Sequence, residues 1–128
     1  MGVPPEKWGP YFWGVIHLGC LTGSITPEFI NMFPSVLPCS ACGQHFTEVL
    51  QENPFPDSRD PMITFQWSVH VHNVVNARIG KPILTVEEAL AAWTASVLPK
   101  TASQFDFKIA VAILILIIIA ILMFVKIK

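Results

Sequence analysis

The sequence predicts an all-α domain: a four-helix bundle with a short fifth helix, followed by a C-terminal transmembrane helix. Three observations carry this. Apolar residues recur at a spacing of three to four along much of the first hundred positions, proline- and glycine-marked stops divide that pattern into five segments, and Thr26 before Pro27 and Thr85 with Glu88 read as helix starts. The end of the chain has no periodicity because it is apolar throughout.

The first helix is expected to open at Gly9-Pro10 and to run from Tyr11 to Leu21, with Phe12, Trp13, Ile16 and Cys20 on one side. Thr22-Gly23-Ser24 stops it. Thr26 before Pro27 reads as an N-cap with proline at the first helical position, so a second helix extends to about Val36, bent or shortened at Pro34. Leu37 precedes a proline and is forced to be extended, which places Cys39-Ser40-Ala41-Cys42 at the start of a third helix, about Ser40 to Gln51. The prolines between Asn53 and Pro61 make a loop. A long fourth helix follows from Met62 to Ile79 and stops at Gly80-Lys81-Pro82. Thr85 with Glu88 three residues on is a capping box for a fifth helix through about Val97.

The expected organisation is a domain over residues 1–100, a linker over 101–108 and a membrane anchor over 109–125. Ile109 to Val125 is seventeen consecutive apolar residues between Lys108 and the pair Lys126 and Lys128. As a helix it would cover roughly 26 Å, enough for a thin bilayer. A soluble helix keeps a polar stripe, and this stretch has none. An anchor three residues from the end is inserted after synthesis, so the domain is expected on the cytosolic side. The N-terminus has neither a basic start nor an apolar core, so no secretory signal is read there, and Glu6 stands where a myristoylation signal wants Ser or Thr.

A net charge of -1, with no Lys/Arg cluster before the C-terminus, argues against a nucleic-acid partner. Three cysteines cannot build a framework of structural disulfides, and Cys39 with Cys42 reads as a redox pair at a helix N-terminus, where the positive end of the dipole favours thiolate. Cys20 reads as a small core residue. The pair also allows two readings of another kind: a structural disulfide, or a zinc half-site completed by histidines, in a non-enzymatic membrane-anchored scaffold. No zinc ligand set is evident, because His70 and His72 two residues apart on a helix face different directions. No βαβ pattern surrounds the pair, which removes the thioredoxin fold. Helical spacing puts Trp13 and His17 on one face of the first helix, and His72 and Asn76 on one face of the fourth with Asn73 beside them. Asn73 and Asn76 are poor mid-helix residues, and that cost points to a ligand.

Trp67 through His72-Asn73-Val74-Val75-Asn76 to Gly80-Lys81-Pro82 resembles the flavin-binding helix of the Erv/ALR family of FAD-linked sulfhydryl oxidases. Trp8-Gly9, Trp13 and His17 resemble the N-terminal element of that family, and Pro38-Cys39-Ser40-Ala41-Cys42 is similar to its redox pair. The resemblance covers Lys7 to about Val97. It implies a thiol oxidase that makes disulfides in substrate proteins and passes electrons through FAD to oxygen, giving hydrogen peroxide. It also implies that Cys42 faces the flavin while Cys39 exchanges with substrate, a protein thiol or a small thioredoxin-like carrier. Gly9, Trp13, His17, Phe46, His72, Asn73, Val75, Asn76, Lys81 and Trp93 would line the cofactor, and members usually pair as homodimers. The minimal domain is most like the small versions of large cytoplasmic DNA viruses, which implies a host internal membrane or a virion membrane. Only 21 residues separate His17 from Cys39, fewer than in the cellular members, so the second helix is expected to be trimmed.

Overall fold

In a computed structural model, which describes residues 3–97 and 111–119, the chain divides into two compact units, residues 1–96 and 97–128. Every regular element among the described residues is helical.

The first unit begins with α1 (Pro5–Leu21), six residues ahead of the expected start. The difference lies in the prolines: Pro5 takes the first helical position, where a missing N–H costs nothing, and Pro10 is carried inside the helix on its exposed side. The expected stop holds. Gly23 adopts φ 65°, and the Ser24 N–H returns to the Gly19 carbonyl at 3.0 Å, closing the last turn.

The Thr26 hydroxyl accepts from the Phe29 N–H and starts α2 (Pro27–Met32). This helix is short, because at Pro34 the chain tightens into a 3₁₀ turn, Phe33–Val36. Leu37 is extended, as its proline neighbour requires, and Cys39 becomes the N-cap of α3 (Ser40–Glu52). Asp60 caps α4 (Pro61–Arg78) by accepting from the Met62 N–H at 2.8 Å. The capping box forms as read: Thr85 N–H to Glu88 at 2.8 Å and Glu88 N–H to Thr85 Oγ1 at 3.2 Å, opening α5 (Val86–Val97).

The helices α1 and α4 form the central pair, with the 3₁₀ turn and α4 both packed on α3. Ile16 and Cys20 from α1, Phe46, Val49 and Leu50 from α3, and Phe65, Val69 and Val71 from α4 make the core, closed by Ile30, Phe33 and Ala89. Two close approaches set the geometry. Gly43 lets the Pro34 carbonyl come within 2.6 Å of where a Cβ would stand, and Gly14 lets Trp93 of α5 lie on α1.

In the second unit, residues 111–119 are helical and exposed. The expected span over 109–125 lies otherwise outside the described residues, and no helix among the described residues is long and apolar enough to cross a membrane.

Candidate functional site

The bundle leaves a cavity of about 460 Å³ open beside α1, α3 and α4, within the range typical of small-molecule sites. Nine of the eleven residues that the resemblance assigns to a cofactor line it: Gly9, Trp13, Cys42, Phe46, His72, Val75, Asn76, Lys81 and Trp93. The helices bring these together in a simple way. One face of α1 supplies Gly9 and Trp13, α3 supplies Cys42 and Phe46 one turn apart, and the last turns of α4 supply His72, Val75 and Asn76.

The wall is built from stacked rings. Trp13 and His72 lie nearly parallel, with centroids 3.9 Å apart and planes 11° apart, and Phe46 meets Trp13 edge-on at 5.7 Å. Lys81 reaches the cavity because the Gly80 turn, at φ 69°, directs the Lys81 N–H back to the Asn76 carbonyl at 2.9 Å. Arg78 also lines it, although its guanidinium is engaged by Glu48 and Glu52 of α3 at 3.4 and 3.6 Å. Asn76 is 9% exposed, with its residue on the cavity wall.

Two of the expected cofactor residues are placed elsewhere. Asn73 turns away from the cavity and clamps the loop before α5: its amide donates to the Leu84 carbonyl at 2.7 Å, and its oxygen accepts from the Leu84 N–H at 3.0 Å. That double hydrogen bond compensates for the poor helix propensity of an asparagine inside α4. His17 is 1% exposed, behind the wall. Its Nδ1 lies 2.8 Å from Ser68 Oγ and its Nε2 lies 2.9 Å from His72 Nδ1. Gly9 has, among the described residues, no protein atom near where its Cβ would stand, and it lines the cavity.

Burial depresses the basicity of both histidines. His17 falls to about 3, from desolvation first and the nearby His72 second, and His72 falls to about 4, from desolvation first and the Lys81 charge second. Both are therefore neutral rings at neutral pH. Burial also pushes the Cys20 thiol up to about 11, which makes it an inert core group.

The redox pair is oxidised: Cys39 and Cys42 form a disulfide with Cα atoms 5.2 Å apart. The Cys42 N–H donates to Cys39 Sγ at 3.2 Å, so the sulfur itself caps α3. Only the inner partner, Cys42, belongs to the cavity lining. Among the described residues no group of three or more His, Cys, Asp or Glu side chains is placed to hold a metal ion.

Sequence reasoning missed Ser68, Phe12, Phe33 and Leu37. Ser68 stands one turn before His72 on α4, a spacing that could have drawn attention to it. Phe12, Phe33 and Leu37 line the cavity as ordinary apolar residues with no distinguishing signal.

Flat aromatic walls, a cation without a carboxylate partner among the described residues, and a disulfide at the rim together fit a flat, anionic, redox-active ligand. Comparison with known proteins agrees. The profile of the Erv1 / Alr family matches residues 22–94. The chain is 33% identical over 116 residues, 80% of each chain, to the protein of Acanthamoeba polyphaga mimivirus named "Probable FAD-linked sulfhydryl oxidase". It is 31% identical over 100 residues to the FAD-linked sulfhydryl oxidase of African swine fever virus, covering 71% of this chain and 83% of that one. It is 38% identical over 66 residues to the FAD-linked sulfhydryl oxidase of rice, covering 52% of this chain and 34% of that one.

Proposed function

We propose, from the premise that this chain belongs to the Erv1 / Alr family, that it is an FAD-linked sulfhydryl oxidase taking electrons from protein thiols through Cys39 and Cys42. The observation that carries this is the asymmetry of the disulfide: Cys42 lines the aromatic cavity and Cys39 does not.

A substrate thiolate attacks Cys39 Sγ, forming a mixed disulfide and breaking the Cys39–Cys42 bond. Cys42 leaves as thiolate from the third position of α3, where unpaired N–H groups and the helix dipole stabilise the anion. A second substrate thiolate then attacks the substrate sulfur of the mixed disulfide and expels Cys39. The substrate departs as a disulfide, having lost two electrons and two protons, and the cysteine pair holds both as a dithiol. FAD, when bound in the cavity, supplies the two-electron acceptor that Cys42 reduces and that oxygen reoxidises, giving hydrogen peroxide.

The chain's own groups provide the binding. Trp13, His72 and Trp93 offer ring faces to flat ring systems, Lys81 offers a cation to the pyrophosphate, and Asn76 offers an amide. In this reading His17 and Asn73 support the site from behind.

The same reading extends to topology. Residues 109–125 would anchor the domain in a host internal membrane or the virion membrane, with the domain on the cytosolic side. The unbroken apolar stretch and the exposed helix at 111–119 support this. Electrons would come from protein thiols directly or through a thioredoxin-like carrier, and two copies would pair as a homodimer.

Replacing Cys42 with Ser is expected to abolish dithiol-driven bleaching of the flavin absorbance while leaving the yellow cofactor bound. Full bleaching by dithiothreitol in that variant would show the assigned role to be wrong, and a colourless wild-type protein after FAD is supplied would sink the whole reading.

A further inference from the structure

The hydrogen-bond chain behind the cavity has a determined direction, set by a backbone carbonyl that can only accept. Ser68 Oγ lies 2.7 Å from the Phe65 carbonyl oxygen, so the one hydroxyl proton is committed there. Ser68 Oγ must then accept from His17 Nδ1–H at 2.8 Å. A neutral His17 protonated at Nδ1 has a bare Nε2, which accepts from His72 Nδ1–H at 2.9 Å. The opposite direction would need Ser68 to donate to His17, leaving two oxygens facing each other at 2.7 Å without a proton between them. Ser68 is fully buried and His17 nearly so, and water therefore does not offer a substitute partner.

We propose that Ser68 and His17 are positioning residues that lock His72 in its Nδ1–H tautomer, so that the cavity presents a bare Nε2 acceptor to an N–H or O–H donor of the bound dinucleotide. Nδ1 of His72 is directed at buried His17, so Nε2 lies on the other edge of a ring that forms the cavity wall. No protein group among the described residues hydrogen-bonds that nitrogen. Among the described residues the cation acting on that ring is Lys81, and Arg78 on the same wall is held by Glu48 and Glu52. A ligand placing an acceptor there would meet a lone pair; one placing a donor would complete a chain of four hydrogen bonds running from the ligand to the Phe65 carbonyl. The ligand half of this proposal rests on the flavin reading, and the tautomer half does not.

The test uses the full-length chain, labelled with ¹⁵N, in detergent micelles with and without FAD, and a long-range ¹H–¹⁵N correlation that identifies the protonated nitrogen of each imidazole. Both His17 and His72 are expected to carry their proton on Nδ1, and the His72 Nε2 resonance is expected to move when FAD binds. Ser68→Ala should abolish the single tautomer and raise the dissociation constant for FAD roughly tenfold, the worth of one hydrogen bond. A His72 protonated at Nε2 in the wild-type chain would overturn the proposal, and so would a Nε2 resonance that ignores FAD whose absorbance shows it bound. Nδ1–H histidines in a chain that binds no FAD would confirm the lock and remove the flavin reading instead. If Ser68→Ala fails to fold, the wild-type spectra decide alone.

Discussion

Gly43 follows Cys42 and sits where two opposing effects can be weighed. In an ordinary helix interior, Gly→Ala stabilises by about 0.5–1 kcal/mol, through backbone entropy and propensity. At Gly43 the added Cβ would stand 2.6 Å from the Pro34 carbonyl oxygen, closer than real Cβ atoms approach anything. That oxygen cannot rotate away as a side chain would, because it belongs to the 3₁₀ turn and accepts the Leu37 N–H. Either the 3₁₀ turn or the start of α3 must move, at an overpacking cost of about 1–3 kcal/mol. The clash exceeds the propensity gain, and Gly43→Ala is expected to be less stable by about 1–2 kcal/mol, or roughly 5–15 °C in Tm for a domain of this size. The moving parts carry Cys39, Cys42, Phe33 and Leu37, so flavin affinity should fall with stability. Urea unfolding at fixed FAD concentration, followed by circular dichroism, measures the first, and quenching of flavin fluorescence the second. A Gly43→Ala protein as stable as wild type, or more so, would refute the argument that this contact sets the position of the redox helix.

Gly9 makes the matching control: nothing among the described residues crowds its Cβ position, so Gly9→Ala is expected to stabilise the flavin-free domain by up to about 1 kcal/mol yet weaken FAD binding, and unchanged affinity by titration would count against the cavity as the flavin site. Asn73→Ala removes both hydrogen bonds to Leu84 and should cost about 1–2 kcal/mol, with faster hydrogen exchange at the Leu84 amide; full retention of its protection would count against the clamp. Both buried histidines are held below their ordinary basicity, so the unfolded chain binds more protons between pH 6.5 and about 3. Their contribution is fully present above pH 6.5 and is lost as pH falls through about 4 and then about 3. Unfolding free energy should therefore begin to drop on acidification from pH 6.5, above the carboxylate range, and a curve flat from pH 7 to pH 5 would contradict the burial of the two rings.

The helices were legible because each is punctuated by a local device that does not depend on its neighbours. The Thr26 cap, the Leu37–Pro38 extension, the Thr85 and Glu88 box and the glycine stops at Gly23 and Gly80 all form as the sequence reads. The misplaced start of α1 shows the limit of that logic. Pro10 looks like a helix opening, yet Pro5 serves equally well, and the turn between them is retained because Trp8 and Gly9 line the cavity and Trp8 Nε1 ties back to the Val3 carbonyl at 2.9 Å. Two prolines compatible with the same role cannot be ranked from propensity alone.

The cavity lining was legible as a set of residues, but the depth at which each stands was not. Helical spacing correctly puts Trp13 and His17 on one face, and His72 with Asn76 on another. It cannot tell which ring of each pair stands in front when α1 and α4 close on each other. Depth is fixed by the interhelical contact, where the small side chain of Ser68 leaves room for His17 between the helices and so makes it a support, with His72 stacked on Trp13 at the surface of the cavity. Asn73 shows the same limit from the other direction. Its poor helix propensity signals that something compensates, and a ligand and a backbone amide eleven residues away are equally good partners for a carboxamide. The path of the chain after Gly80, which returns Leu84 to the side of α4, supplies the backbone partner, and no propensity scale contains that path.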